Sequence, residues 1–422
     1  MKKILLVLAV ALTNWSCIDE CNQTRTYKAT VPFQIGQEQL KNGIANEGPR
    51  DLEKLAKIYA YENYLIISET KKGLHIIDNT NPSNPVKVSF LEIPGVIDMA
   101  IRDNILYADS YTDLVALDIT NPKAIKEVGR IKNMFNYGLV EGVSWYYDPY
   151  SKIITDYEFK TVTETVSTNC GQNGSVWPVY RGGLAEDMAF NNSSSGTKGQ
   201  TNSSSGTGGS MARFTIYEDY LYAATQSDLL VFNIKNGQKP DSISKVNLGW
   251  GIETIFPYKD KLFIGSNTGM HIFDNSSPAS PKRLSIFQHA RACDPVVVEN
   301  DKAYVTLRQG WCGAAPNQLD VVDVKNLSAP FLIKSYQMEN PHGLSIVNSK
   351  LTVCEGKFGL KSFDAKDASD VKLQQHIKDI HAFDVIQLDD KHLLMIGEDG
   401  LYQYDNTDPK NLKLLSKIEV KK

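Results

Sequence analysis

The sequence predicts an all-β fold, a seven-bladed β-propeller of four-stranded antiparallel blades, from three observations. The first is a pentad that opens on Leu or Met and closes on Asp or Asn. It occurs as LHIID from Leu74, LVALD from Leu114, LLVFN from Leu229, MHIFD from Met270, LDVVD from Leu319, LKSFD from Leu360 and LYQYD from Leu401. Successive starts lie 40, 115, 41, 49, 41 and 41 residues apart, so one unit recurs with two insertions, at a period typical of propellers and solenoids. The second is an apolar run upstream of the pentads: LIIS from Leu65, LYAD from Leu106, LYAA from Leu221, LFIG from Leu262, AYVT from Ala303, LTVC from Leu351 and LMIG from Leu394. The third is that the first and fourth pentad positions are always apolar. Their odd separation puts them on opposite faces of a strand. A sheet that is apolar on both faces needs a neighbour on each side, and a closed ring supplies one. An open stack would leave two end sheets with an apolar face in water.

Each element of the unit follows in order. A first strand such as VIDMAIRDN from Val96 ends in Asp-Asn or Glu-Asn, residues suited to a tight hairpin turn. The upstream run is the second strand and the pentad the third, both rich in β-branched and aromatic residues. The final Asp of the pentad precedes Asn-, Pro- and Ser-rich sequence, as in NTNPSNP from Asn79 or NTDPKN from Asn406. It therefore reads as an Asx-turn residue rather than a metal ligand. A fourth strand such as VKVSFLEI from Val86 closes the unit.

Ahead of the ring, residues 1–16 read as a signal peptide: Lys2 and Lys3 precede Ile4 to Leu12, an apolar run too short to span a bilayer as a helix. Ser16 followed by Cys17 resembles a bacterial lipobox, although Asn14 stands where Leu is favoured. The expectation is lipidation of Cys17, with residues 17–49 as a tether and extended segment, which makes the chain an exported outer-membrane lipoprotein. Ile18-Asp19-Glu20 resembles an acidic tag for the cell surface, and simple periplasmic cleavage with a free Cys17 thiol is the alternative. Lipidation would leave five cysteines, Cys21, Cys170, Cys293, Cys312 and Cys354, an odd number for pairing.

The net charge of -4 and ordinary Gly and Pro content carry no nucleic-acid footprint. A repeat that closes on itself makes residues 50–420 one domain, expected to be a monomeric ring. Departures from the repeat fall on the face where the first strand begins and the second meets the third. The largest is residues 131–212, strand-like at first and ending in a low-complexity loop, residues 191–210, too polar to fold alone. Another is LRQGWCGAAPNQ from Leu307, which carries Trp311 and Cys312. Cys293, at the start of the same unit, is expected to pair with Cys312 if geometry permits. Cys354 reads as a small core thiol.

Polar residues gather on that face at the starts of the innermost strands. Asp98, Arg213, Glu253, Asp294, His342 and Asp384 stand eight to ten residues before the second strand in six units, with Arg291, Arg308, Glu355 and His381 nearby. They form a candidate ligand-binding ring at a channel mouth, with Trp250 and Trp311 read as a stacking platform for a sugar or peptide or, alternatively, as half-buried seals of their loops. The competing reading has these side chains hydrogen-bond blade to blade. No cofactor is expected, and the seven scattered histidines lack metal-ligand spacing.

The stretches LHIIDNTNP, LVALDITNP and LDVVDV resemble the LVIVD repeat, and the likeness extends over Arg50 to Val420. ILYADSYTDLVALDITNP and WGIETIFPYKDKLFIGSNTGM are similar to stretches of bacterial lipoproteins that carry it. The resemblance implies a propeller and export, and it transfers no catalytic residue.

Two functions compete. One is a tethered envelope binding module that holds a peptide, a glycan or another envelope protein on the decorated face. The other is an envelope glycan hydrolase or lyase with two of Glu253, Asp294 and Asp384 as acid and base and His342 assisting. The absence of a nucleophile elbow or phosphate-cradling loop favours binding over catalysis. A third reading is a structural spacer whose 131–212 insertion docks a partner.

Overall fold

In the computed structural model, which describes residues 20–140, 143–169, 206–292, 295–310 and 316–421, the repeat forms seven blades. Blade 1 is built on Leu55–Tyr61, Tyr64–Glu69, Gly73–Asp78 and Val86–Glu92, laid down in chain order from the channel outward. Blade 2 runs from Met99–Arg102 to Lys126–Ile131, blade 3 from Phe214–Tyr217 to Asp241–Asn247 and blade 4 from Ile252–Tyr258 to Lys282–Gln288. Blade 5 runs from Val296–Glu299 to Phe331–Gln337, blade 6 from Leu344–Val347 to Lys372–Ile377 and blade 7 from Ala382–Gln387 to Lys413–Glu419.

The local chemistry follows the repeat. The turn between first and second strands has positive φ at two successive residues in Asp103-Asn104, Asn300-Asp301 and Asn348-Ser349, the backbone of a twisted hairpin turn. All seven pentads end in an Asx turn: the Oδ1 of Asp78, Asp118, Asn233, Asp274, Asp323, Asp364 and Asp405 each accepts the N–H two residues on. A bulge between third and fourth strands recurs in every blade and adds to its twist.

The core lies between blades. First and fourth pentad residues are buried in every copy, and contiguous apolar clusters join blades 1 to 3, 3 to 4, 4 to 6, 6 to 7 and 7 back to 1. The last of these joins Leu52, Ile67 and Ile77 to Ile386, Ile396 and Leu401, so the ring is closed. Leu52 also bridges Val420 in parallel, the Lys421 N–H donates to the Leu52 carbonyl at 2.8 Å, and Ser416 Oγ donates to the Pro82 carbonyl at 2.6 Å.

Three additions depart from the plain ring. Thr207–Gly208 pairs inside Leu55–Tyr61 and Ala45–Glu47 pairs outside Val86–Glu92, so blade 1 has six strands where four are expected. The insertion supplies an eighth sheet of Tyr137–Val140, Val143–Asp148 and Ile153–Asn169, completed by the N-terminal strand Glu20–Gly36. Those last two strands pair along all 17 positions of Glu20–Gly36 as a ribbon about 55 Å long. No helix among the described residues is long and apolar enough to cross a membrane.

Candidate functional site

The channel is filled by the tail of the insertion. The Gly206 N–H donates to the Ile101 carbonyl of blade 2 at 3.1 Å, and Thr207 and Gly208 form a ladder with Ala60 and Tyr59 of blade 1. Ser210 Oγ accepts the Leu344 N–H of blade 6 at 2.6 Å and donates to Asp384 of blade 7 at 3.2 Å. The Met211 carbonyl accepts from Lys57 Nζ, and the Ala212 carbonyl accepts from the Ile255 N–H of blade 4 at 2.8 Å. A Cβ at Gly206 would stand 2.2 Å from the Tyr59 ring, so only glycine fits there.

Around this plug, three carboxylates of the polar ring, Asp98, Asp384 and Glu355, accept backbone N–H groups. Asp98 Oδ2 accepts the N–H groups of Arg213 and Phe214 at 2.5 and 3.3 Å, while its Oδ1 accepts that of Met99 at 2.8 Å. Asp384 Oδ1 takes the Val385 N–H at 2.9 Å besides Ser210, and its buried Oδ2 has no hydrogen-bond partner. Glu355 Oε2 accepts the N–H groups of Glu339 and Asn340 at 3.0 and 2.6 Å, and its Oε1 accepts from Lys361 at 2.9 Å. The same device recurs in blade 2, where Asp109 Oδ1 accepts from Ile97 and Asp98 at 2.9 and 2.8 Å. Of these bonds, those from Asp98 to the Arg213 and Phe214 N–H groups tie blade 2 to blade 3, and the others hold a blade's own backbone, its entry link or the inserted chain.

Spacing also identifies a seventh member of the ring. Lys57 stands eight residues before Leu65, the position that Asp98 and Arg213 hold in their own units, and its Nζ lies 3.8 Å from Asp98 Oδ2. The sequence pattern contained this signal, but a lysine among acids did not stand out. Burial lowers the Lys57 ammonium to about 8, and burial raises the carboxyls of Asp109 and Asp384 each to about 7. Arg213 and Arg308 are pulled down by burial and held up by carboxylates, Glu253 foremost. With the Gln226 amide turned so that its oxygen faces Arg213, it accepts from Nη1 and Nη2 at 3.0 and 2.9 Å.

On the far side of the mouth, His342 is 3% exposed and held neutral, well below the usual imidazole range, by burial and then by Arg308. Its Nε2 meets the Asn340 amide at 3.2 Å, and its Nδ1 has no partner. His381 Nδ1 pairs with Glu398 at 2.7 Å nearer the surface, and Arg291 is exposed. Cys354 is buried, with its thiol pushed up by burial, as a core residue would be. Trp250 is 61% exposed and lies against Tyr137 of the insertion sheet, ring centroids 5.7 Å apart. Cys17, Asp294, Trp311 and the Cys293–Cys312 pairing lie outside the described residues. Among the described residues no group of three or more His, Cys, Asp or Glu could hold a metal ion.

Ring, blade order and closure define a seven-bladed β-propeller module. The family model for the LVIVD repeat matches residues 55–90 and 311–338, so the propeller carries LVIVD repeats. It is similar in structure to the computationally designed Ika8 protein, at 7% identity and a TM-score of 0.52, over 88% of this chain and 90% of that one. A periplasmic gluconolactonase of Pseudomonas aeruginosa, PpgL, aligns at 9% identity and a TM-score of 0.48 over 87% and 97% of the two chains. BamB from Moraxella catarrhalis aligns at 7% identity and 0.44 over 88% and 99%. These likenesses concern the fold alone. A comparison of the sequence with curated proteins finds no match.

Proposed function

We propose that this propeller is a membrane-tethered envelope binding module that engages its ligand on the insertion-bearing face. The observation that carries this reading is the division of labour among polar groups. Asp384, one of the carboxylates named for acid–base work, is buried beside the chain that passes through the channel, with its Oδ1 held by the Val385 N–H and the Ser210 hydroxyl. The insertion face instead presents Trp250, Tyr146 and Tyr150 to solvent. Large exposed aromatics on a rigid scaffold suit recognition. Cys17 precedes the outer end of the Glu20–Gly36 ribbon by three residues, so lipidation there would anchor the chain at that end. Metabolic palmitate labelling that is lost in Cys17→Ser is the expected result for the anchor.

The binding reading is tested by incubating the full chain with envelope glycan and peptide mixtures and recovering bound species by mass spectrometry. Capture of chemically unchanged material, reduced at least fivefold in Trp250→Ala, is expected. Cleavage that disappears in His342→Ala or Asp384→Asn would instead establish the hydrolase alternative. For the spacer reading, a deletion confined to 191–205 is the appropriate probe, because Gly206 to Ser210 are part of the channel.

A further inference from the structure

Between blade 2, blade 3 and the insertion sheet lies a cavity of about 30 Å³, walled by Tyr111, Phe135, Tyr137 and Trp145 and floored by Asp109 and Arg213. That volume holds roughly two waters, the size of a hydroxymethyl group. Trp145 is 2% exposed, yet its indole Nε1 has no hydrogen-bond partner. A buried donor left unmatched is costly, so its retention points to an acceptor that arrives from outside. Gly138, another wall residue, keeps this N–H uncovered: a Cβ there would stand 2.2 Å from Nε1. Asp109, whose Oδ1 accepts two backbone N–H groups, lines the same cavity as this indole. Tyr137 continues the wall outward to the exposed indole of Trp250.

We infer that this cavity is a subsite for a neutral sugar. One hydroxyl enters, accepting from the Trp145 N–H and donating to Asp109, while the ring lies on Trp250. The inference rests on the binding reading of this face and names its ligand class. Charge decides between neutral and acidic sugars. Arg213 is already faced by Glu253, Asp98 and Asp109, so its charge is taken up by the protein's own carboxylates and offers little to a sugar carboxylate. A hydroxyl is donor and acceptor at once, so it can accept from the Trp145 N–H and donate to the Asp109 carboxyl that lines the same cavity. An aromatic surface with few convergent polar groups is the usual make-up of such a pocket.

The test is calorimetry or saturation-transfer NMR on the full chain with neutral hexoses and their N-acetyl and uronic-acid counterparts, each up to tens of millimolar. Expected is saturable one-to-one binding of at least one neutral sugar, with its uronic acid at least tenfold weaker. Trp145→Phe, which deletes the N–H and keeps an aromatic ring, should weaken binding about tenfold, and circular dichroism reports whether the variant is folded. Trp250→Ala, a surface change, should weaken it at least fivefold whatever happens at Trp145. Equal or tighter binding of the uronic acid overturns the inference. So does unchanged affinity in Trp250→Ala, or in folded Trp145→Phe, or no binding across the panel. If Trp250→Ala abolishes capture of an envelope protein while no sugar binds, the binding face stands and the sugar subsite falls.

Discussion

At the scale of single residues, the interior of the ring is governed by the cost of burying charge. Asp384 ionises near 7 in the folded chain against an ordinary 3.8, mainly because burial disfavours its charged form. Between those values the folded chain keeps a proton that the unfolded chain has lost, so this group makes stability fall as pH rises from about 4 to about 7. Asp384→Asn removes the titration and keeps an acceptor for Ser210 and Val385. Its melting temperature relative to the parent should therefore climb across that window, on the order of 2–4 kcal/mol in stability by pH 8, as measured by calorimetry at several pH values. Ser210→Ala should act in the other direction. It leaves the Leu344 N–H buried without its acceptor, and urea unfolding should report a loss of about 1–3 kcal/mol. Asp98, Arg213 and Asp384 were legible in the sequence as a ring because they recur eight to ten residues before the second strand of their units. Their partners were not, since a backbone N–H carries no sequence signature, and for that reason a carboxylate capping two amides resembles one awaiting a substrate.

At the scale of elements, the repeated turn and the repeated core differ in energetic weight. Asp118 caps its turn at the surface by accepting from Thr120, its N–H at 2.9 Å and its hydroxyl, so Asp118→Ala should cost only about 1 kcal/mol. Its neighbour Leu117 is fully buried between blades, and Leu117→Ala should cost about 2–5 kcal/mol by chemical denaturation. The strands and their turns could be read because their two-residue alternation and Asx chemistry are local. The ribbon could not. Glu20–Gly36 finds its partner in Ile153–Asn169, more than a hundred residues away, and nothing in either segment specifies that pairing. Likewise Gly206 to Ser210 has the composition of a linker, and its backbone becomes an inner strand of blade 1 only because the ring surrounds it.

At the scale of the whole molecule, closure couples the ends of the chain. Blade 1 and blade 7 meet through Leu52, Val420 and the Gln403 to Asn79 bond at 2.7 Å. Leu52→Asp puts a charge into that seam. Hydrogen exchange should show protection lost in both blades together, whereas an equally severe change inside blade 4 should affect blades 3 to 5. Closure itself was deducible from two-faced pentads, because each apolar face requires a cover.

The passage of residues 206 to 212 through the hub has a consequence for assembly. These residues touch blades 1, 2, 4, 6 and 7 before the chain continues into blade 3, so they serve as an axle on which the blades are mounted. Severing the polypeptide between Asn169 and Gly206 would leave that axle on the C-terminal piece, gripped by the N-terminal one. The two pieces should then travel together through gel filtration as noncovalent partners, and each expressed alone should fail to complete the wheel.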